Sequence, residues 1–406
     1  MKHLFIVCAL VCLAFSGFAQ KKNFSYKFYG QVRGDLFYNS RANAETVDGL
    51  FYLYPKDKDP DADGKDLNAA PNGSFYLLYS RVGVDVEGPK IGKAVTTAKL
   101  EGDFRGSGNT FALFRIRHAY VNLDWEKSAV LIGQTWHPLF GDVSPQILNL
   151  SVGAPFQPFN RSPLIRYRFE DKGWQLTAAA IWQLQYLSAG PNGKSEEYIK
   201  NSCLPEFFFG ADYKINKNWL AGAGIELLSL VPRTKSTVND KVYKVSERVT
   251  SLSFEAHARY TSPTLLVAAK TVIASNLTQA SMLGGFGVTS IDSRTGEMDY
   301  TPYRHSATWL NVVYGKKWKP GIFVGYLKNL GTTEALVGPT YGVGLDVDQL
   351  LTVNVQCTYN LPHWKIGVEY GPSTAWYGDF DPADGRIRNT HSITNHRVLG
   401  VLIYMF

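Results

Sequence analysis

Pairs of arginines stand two residues apart in two stretches of the sequence. Arg115 and Arg117 lie in FRIRHAY, and Arg166 and Arg168 lie in LIRYRF. Residues two apart in a β-strand point to the same side, so each pair places two guanidinium groups on one face. Guanidinium groups bind carboxylates and phosphates through paired hydrogen bonds. The spacing therefore predicts a surface that attracts anions, carried on strands.

These pairs belong to a chain in which apolar and polar residues alternate repeatedly. In 26–39, YKFYGQVRGDLFYN, one parity is apolar or glycine and the other is mostly polar. This period of two predicts a β-strand. The run is longer than the average soluble strand of about 5–6 residues, whereas a tilted membrane-crossing strand needs about 9–11. Similar alternation begins near residues 75, 94, 174 and 207.

The composition agrees with strands and turns rather than helices. The 406 residues include 37 Gly, 23 Tyr, 23 Phe and 9 Trp, with 19% charged and a net charge of +7. Many aromatics and few charges exclude a disordered chain. The apolar run at 4–15 is too short to cross a bilayer of about 30 Å as a helix. We expect no nucleic-acid partner.

Short turn signals alternate with long polar segments. The short signals are 88–92, 126–128, 171–173, 216–218, 261–264, 315–321 and 360–363, and the long segments are 41–74, 137–163, 185–204, 233–247, 275–306, 331–345 and 378–392. Five tryptophans lie at the short turns, as in an interfacial aromatic belt: Trp125, Trp174, Trp219, Trp318 and Trp364. The pattern predicts an all-β fold, a transmembrane antiparallel up-and-down β-barrel of about 16 strands.

The first residues have the pattern of an export signal. Lys2 and His3 precede the apolar run 4–15, and Gly17 and Ala19 supply small residues for cleavage. We therefore predict a signal peptide at 1–19 and a single barrel domain at 20–406. We place the barrel as a multi-pass protein in lipid, in the outer membrane of a Gram-negative bacterium.

Charged side chains on the lipid face of such a barrel cost about 2–4 kcal/mol at mid-membrane, so the arginines are expected to face the lumen. We predict that the pore is lined by Arg33, Arg81, Arg115, Arg117, Arg161, Arg166 and Arg168. We also expect a channel in which Arg117 and Arg166 are replaced by Glu to fold and to lose its anion preference. In the alternative interpretation the arginines only stiffen the barrel, paired with Asp35, Asp85, Glu101 and Asp103.

Two of the long segments have distinct compositions. Segment 41–74 is polar and acidic, and we expect it to be an extracellular loop. Segment 137–163 is rich in proline and apolar residues and almost uncharged, which is unsuitable for a loop in water. We predict that it folds into the lumen as a constriction loop.

The order RIRHAYVNLDW, LIGQTWHPLFGD, a proline-rich stretch and RSPLIRYRF resembles the DcaP-like porins of Gram-negative outer membranes. The resemblance is sharpest over 110–170. It implies a trimeric channel of sixteen strands with an inward-folded loop, a preference for anions such as dicarboxylates, and lumen roles for the two arginine pairs. The chain lacks a heptad segment before its first strand, so we expect no trimerisation through an N-terminal coiled coil.

Other signals are weaker. DPDADG places Asp59, Asp61 and Asp63 at calcium-loop spacing, but position twelve is Ala70 rather than Glu, so Ca²⁺ is at most a weak ligand and no other cofactor is expected. Two further functions stay open. One is an outer-membrane barrel hydrolase using loop residues such as His137, Asp142 and His391. The other is a secreted soluble β-protein that binds carbohydrate. We favour a passive porin without enzymatic activity.

Overall fold

The wall of the molecule is one closed antiparallel sheet. The structure, a computed structural model, describes residues 24–46, 49–105 and 113–406, so the predicted signal peptide lies outside the described residues. The sheet contains 17 strand segments. Two of them, Asn72–Tyr76 and Arg81–Ile91, both pair with the first strand and are halves of one strand, which leaves a barrel of 16 strands. The first strand also pairs with the last, and this pairing closes the barrel.

We number the barrel strands in chain order. They are β1 (Ser25–Asn39), β2 (Asn72–Tyr76 and Arg81–Ile91), β3 (Ala94–Asp103), β4 (Arg115–Trp125), β5 (Ser128–Trp136), β6 (Arg161–Asp171), β7 (Trp174–Ile181), β8 (Glu206–Lys214), β9 (Trp219–Leu230), β10 (Val249–Thr261), β11 (Leu265–Ser275), β12 (Arg304–Tyr314), β13 (Trp318–Gly331), β14 (Val347–Leu361), β15 (Trp364–Asp381) and β16 (Arg386–Met405).

The long loops contain shorter elements. These are helix α1 (Glu197–Ser202), the 3-10 turn Thr278–Ala280, and the strands Asn43–Thr46, Phe51–Pro55, Ala189–Gly190, Gly193–Lys194, Lys235–Val238, Lys241–Lys244, Gly284–Ile291, Met298–Pro302 and Thr340–Val343. Within the described ranges, no helix is long and apolar enough to cross a membrane.

The alternation in the sequence determines which side chains face outward. In β1, Phe28 and Leu36 are 78% and 59% exposed, whereas Arg33 and Asp35 on the other parity are buried. An apolar outer face and a polar inner face are what a barrel in lipid requires. The sheet therefore has an apolar exterior, and Arg33 and Asp35 of β1 point into the lumen.

An aromatic girdle surrounds the end of the barrel that bears the short turns. Four of the tryptophans predicted to form a belt pack against a tyrosine of the neighbouring strand, with ring centroids 4.6–5.0 Å apart. The pairs are Trp174–Tyr213, Trp219–Tyr260, Trp318–Tyr359 and Trp364–Tyr404. Such rings are suited to the level of the lipid headgroups.

The predicted loop at 378–392 is wrong. β15 and β16 are 18 and 20 residues long and continue through this segment, which leaves a turn only at 382–385. Cross-strand pairs explain the extension, since such pairs stabilise an antiparallel ladder. Thr374 and Thr394 share a hydrogen bond of 2.8 Å, and Arg388 donates to Asp381 at 2.6 Å.

Residues 137–160, called the inner segment below, fold into the barrel between β5 and β6. The predicted boundary was 163, but β6 already begins at Arg161. Leu139, Val143 and Phe156 are buried in one cluster with side chains of the wall. On the other side of the lumen Leu148 packs with the inner face of β16, which explains why both faces of that last strand are apolar.

Candidate functional site

Ion pairs hold the arginines of β4 against carboxylates of β3. Arg117 donates to Glu101 at 2.6 Å and to Asp103 at 3.0 Å. Arg115 donates to both oxygens of Asp103, at 2.7 and 3.1 Å. Arg117 and both carboxylates are buried, so each charge depends on its partners for stabilisation. These two arginines form a framework within the wall.

A β-bulge brings Arg117 into this framework. In the β3–β4 pairing, Glu101 lies opposite His118 and Gly102 lies opposite Ile116, so Arg117 is the extra residue. A bulge changes the face on which the following residues lie. As a result the consecutive residues Arg117 and His118 are both buried, an arrangement that strict alternation does not allow.

Tyr79 lies at the break between the two halves of β2, and four guanidinium groups lie around its ring. The Cζ atoms of Arg33, Arg81, Arg105 and Arg117 lie 4.8–5.7 Å from the ring centroid. Arg117 also donates to the hydroxyl of Tyr79 at 3.0 Å. Cation–π contacts help to hold like charges close together. We call these four arginines and Tyr79 the arginine cluster.

Most arginines predicted to line the pore on β1–β4 have carboxylate partners. Arg33 pairs with Asp35 at 2.7 Å, and Arg81 lies 3.6 Å from Glu101. The alternative of paired, stiffening arginines therefore describes Arg33, Arg81, Arg115 and Arg117. It fails for Asp85, which accepts a hydrogen bond from Lys99 instead.

Arg105 and Arg161 differ from these four. Both are buried, and neither forms an ion pair with a carboxylate of the described chain. Their Nε and Nη1 atoms have no hydrogen-bond partner among the described residues. Arg161 lies over Trp136 at 4.6 Å and donates to Tyr186 at 2.9 Å, and Arg105 lies over Phe51 at 5.0 Å. Aromatic rings therefore hold both guanidinium groups, and each group keeps N–H donors without a partner in the described chain.

A cavity of about 230 Å³ adjoins Arg105 on the side of the long loops, and its lining includes Tyr186, to which Arg161 donates. Arg105, Arg115 and Lys194 supply positive charge to its lining, and Phe51 and Leu283 supply apolar surface. The cavity therefore combines donors for a carboxylate with room for a small apolar body.

Arg166 and Arg168 lie elsewhere. They line a second cavity of about 360 Å³ together with residues of the short turn at 126–128. Arg168 Nη2 is 3.3 Å from Asp142 of the inner segment. Arg115 therefore lines a cavity towards the long loops, whereas Arg166 and Arg168 line one towards the short turns, so the two arginine pairs do not form one continuous wall.

Buried hydrogen bonds fix the inner segment across the lumen. Lys270 of β11 donates to the carbonyl oxygen of Leu139 at 2.7 Å. Leu148 donates its N–H to Glu369 of β15 at 2.8 Å, and its carbonyl accepts from Arg33 of β1 at 2.7 Å. These strands are spread around the barrel, so the segment is attached on several sides.

Carboxylates dominate another part of the lumen. His257 lies between two of them, with Nδ1 2.9 Å from Glu255 and Nε2 2.6 Å from Asp212. We call the carboxylates of β8, β9 and β10 the acidic wall: Glu206, Asp212, Glu226 and Glu255.

Sequence reasoning missed Tyr79, Lys270 and Glu369. Lys270 is the single charge in the apolar run LLVAAKTV, and Glu369 is the only carboxylate in the run KIGVEYG. That pattern in a membrane-crossing strand is a signal for a lumen-facing group, and it was present in the sequence. Tyr79 carried no such signal because its role arises from the break in β2.

The candidates outside the lumen are not assembled into sites. Asp61 accepts hydrogen bonds from the amides of Asp63 and Lys65, at 2.9 and 2.8 Å. Asp59, Asp61 and Asp63 do not bring three carboxylate oxygens within 4.8 Å of one another. Calcium binding there stays a prediction.

The three loop residues considered for a hydrolase, His137, Asp142 and His391, each contact different partners. Asp142 meets Arg168 at 3.3 Å, and His391 meets Asp57 at 2.6 Å. His137 faces other carboxylates, described below. The structure gives these residues no common constellation.

Comparisons with known proteins agree with this geometry. The model of the DcaP outer membrane protein family matches residues 19–177. The resemblance to DcaP is confirmed. The chain is an outer-membrane barrel that resembles DcaP over these residues, and the match contains β1–β6, the strands that carry the predicted arginines. No curated protein sequence matches the chain significantly.

Solved structures show the same fold at low identity. The outer membrane channel DcaP of Acinetobacter baumannii is 18% identical, with a TM-score of 0.66 over 96% of this chain and 99% of that chain. OmpT of Vibrio cholerae is 13% identical, with a TM-score of 0.55 over 95% and 99%. OmpF of Salmonella typhi, in a complex with daunomycin, is 10% identical, with a TM-score of 0.55 over 95% and 98%.

Proposed function

We propose that the protein is a passive diffusion channel for small anionic solutes, dicarboxylates among them, and that it catalyses no reaction. The observation that carries this proposal is the pair Arg105 and Arg161. Both are buried cations without a carboxylate partner in the described chain, and both keep unused donors. A group of this kind gains most from an anion that passes.

The ion pairs around them strengthen this selection. Glu101 and Asp103 neutralise part of the charge of Arg115 and Arg117, so the four residues hold their positions without being available to bind strongly. A channel needs binding strong enough to admit a solute and weak enough to release it. In a narrow bore the effective dielectric constant is low, so even two unneutralised cations act over several ångströms.

The lining of the cavity beside Arg105 favours a particular kind of anion. Phe51 and Leu283 face the same space as Arg105 and Arg115. A solute with one or two carboxylates and a short hydrocarbon body satisfies both parts of this lining. Inorganic ions use only the cationic part, so we expect organic carboxylates to compete with chloride for passage.

Reversal potentials in a salt gradient across a planar bilayer test the proposal. The variant Arg105→Gln/Arg161→Gln removes both unpaired cations, and Arg388→Gln, at the exposed tip of β15–β16, is the matched control. We expect the wild type and the control to prefer anions, and the double variant to lose at least half of that preference. Heat-modifiable gel mobility checks that each barrel is folded. A cation-selective wild type would overturn the proposal.

We also propose that the barrels assemble as homotrimers. The support is the family resemblance together with OmpT of Vibrio cholerae, one structure of which is described as a trimer form. Light scattering of the detergent complex, corrected for bound detergent, measures the protein mass. A mass of one chain in several detergents would contradict this assembly.

A further inference from the structure

Three buried side chains from separate parts of the chain converge behind the start of the inner segment. His137 begins that segment, Glu206 begins β8, and Glu226 lies on β9. Nε2 of His137 is 3.4 Å from Glu206 Oε2 and 3.9 Å from Glu226 Oε2. One ligand atom from each of the three lies within 4.8 Å of the other two. Their exposed fractions are 1%, 0% and 1%.

The polar contacts of this group are incomplete. Nε2 of His137 and Oε2 of Glu226 are buried without a hydrogen-bond partner among the described residues. Glu206 accepts from the amides of Gln183 and Gln279, at 2.7 and 3.2 Å, and neither amide carries charge. Two buried carboxylates need a compensating positive charge. No lysine or arginine of the described chain forms an ion pair with either of them.

We propose that His137, Glu206 and Glu226 bind a divalent transition-metal ion, with Zn²⁺ as the ion that fits the mixed nitrogen and oxygen ligands. Ligand bonds of about 2.0–2.1 Å in a tetrahedral site separate neighbouring ligand atoms by about 3.3 Å. The His137–Glu206 separation of 3.4 Å is close to this value, and the His137–Glu226 separation of 3.9 Å would have to shorten when an ion binds. It exceeds the usual N–H···O distance of about 2.9 Å, so direct hydrogen bonding explains it less well.

Gln279 offers a fourth ligand. Its Nε2 lies 3.2 Å from Glu206 and 3.3 Å from Glu226, while its Oε1 is buried without a partner in the described chain. The nitrogen and oxygen of a side-chain amide are nearly equal in shape, so their assignment follows from the surroundings. With an ion in place the amide would turn, and Oε1 would face the metal.

Binding requires one local rearrangement. The N–H of Leu139 donates to Nδ1 of His137 at 3.1 Å, which places the proton of a neutral imidazole on Nε2. A coordinating Nε2 must give up that proton, and Nδ1 then carries it. The Leu139 amide must therefore find another acceptor.

The proposed ion would connect the constriction to the wall. His137 is the first residue of the inner segment, and the two glutamates belong to adjacent strands of the acidic wall. A metal ion here holds the segment at its origin, close to Leu139, where Lys270 also binds. This role is independent of which solute the channel passes.

Metal content measured by mass spectrometry tests the proposal. The full barrel is purified in detergent without chelator, equilibrated with ZnCl₂ and dialysed. We expect about one zinc ion per chain in the wild type and at least a tenfold lower content in His137→Ala and Glu226→Gln. Glu369→Gln is the matched control, because Glu369 is also a buried carboxylate bound to the inner segment. It should keep its zinc.

A second measurement uses only the wild type and so does not depend on folding of the variants. We expect EDTA to lower the temperature at which the folded gel band is lost, and zinc to restore it. A wild type that retains no zinc and does not respond to EDTA would overturn the proposal, and the two carboxylates would then share a proton. Equal zinc content in His137→Ala and wild type would overturn it as well.

Discussion

The arginine cluster and the acidic wall handle buried charge in different ways. In the arginine cluster, carboxylates of β1 and β3 neutralise most cations, and aromatic rings hold Arg105, which keeps donors free beside a cavity. In the acidic wall, His257 lies between two carboxylates, while Glu206 and Glu226 face the inner segment. One region presents charge to a cavity of the lumen, and the other encloses charge against the inner segment.

The two regions contact the inner segment at different points. Lys270 on β11, next to the acidic wall, binds the inner segment, and the first residue of that segment, His137, faces Glu206 and Glu226 of the acidic wall. The arginine cluster contacts this segment through Arg33. We infer that the acidic side positions the constriction and the arginine side meets the solute. Changes on the first should alter the shape and steadiness of the pore, and changes on the second should alter its charge selectivity.

The largest effect is expected for Arg117→Glu, which tests whether the arginine cluster is also structural. The substitution puts a third carboxylate beside Glu101 and Asp103 in a buried site. Breaking a buried pair costs about 3–5 kcal/mol, so we expect the barrel to fail to assemble or to unfold at much lower urea. This revises the expectation from the sequence that a barrel with this change folds normally. Arg388→Glu, at an exposed pair, is the control and should assemble.

Lys270→Met tests whether the side of the lumen next to the acidic wall positions the inner segment. The change keeps the length of the side chain but removes the donor to the carbonyls of Leu139 and Phe140. Unsatisfied buried carbonyls cost about 1–3 kcal/mol, which loosens the inner segment without opening the barrel. We expect noisier single-channel currents and a higher mean conductance, with the anion preference largely kept. Lys328→Met, at a half-exposed pair with Asp348, is the control. A quiet channel of unchanged conductance would argue that Lys270 does not hold the constriction.

Features that repeat along the chain made the fold predictable. Alternation, short turns and tryptophans at the turns are local, and each strand shows them independently of its partners. The constriction loop was predictable because proline and apolar residues without charge are unsuitable for a solvated loop. The length of β15 and β16 was not predictable, because it depends on side-chain pairs between the two strands, such as Thr374 with Thr394.

The site was predictable only in part. Parity alone brings Arg115 and Arg117 inward, but the bulge that also buries His118 depends on the register with β3. Which arginine pairs with a carboxylate depends on the same register, so the pore-lining residues predicted from the sequence included Arg117, which is paired, and left out Arg105, which is not. Convergence of His137 with Glu226 involves segments far apart in the chain, and no spacing rule describes it.

Arg166→Glu tests whether the cavity near the short turns contributes less to ion selectivity than the cavity beside Arg105. Arg166 lines the cavity near the short turns and is only half-buried, so the change should leave the barrel folded. We expect the anion-to-cation permeability ratio to fall by about twofold, since Arg166 is less buried than Arg105 and salt therefore screens its charge more strongly. If reversal potentials show a loss as large as that of Arg105→Gln/Arg161→Gln, the selective region lies near the short turns.

The smallest effect on anion preference is expected for Lys127→Gln, a change outside both the arginine cluster and the acidic wall. Lys127 is exposed, pairs with Asp171 at 2.8 Å and lies at the rim of the same cavity. Screening extends over about 10 Å at 0.1 M salt but only about 3 Å at 1 M. We therefore expect a slight loss of anion preference in dilute salt and none in concentrated salt. Reversal potentials at both concentrations measure this difference. A loss that persists in concentrated salt would mean that Lys127 contacts the permeating ions directly, so that the rim would belong to the selective region.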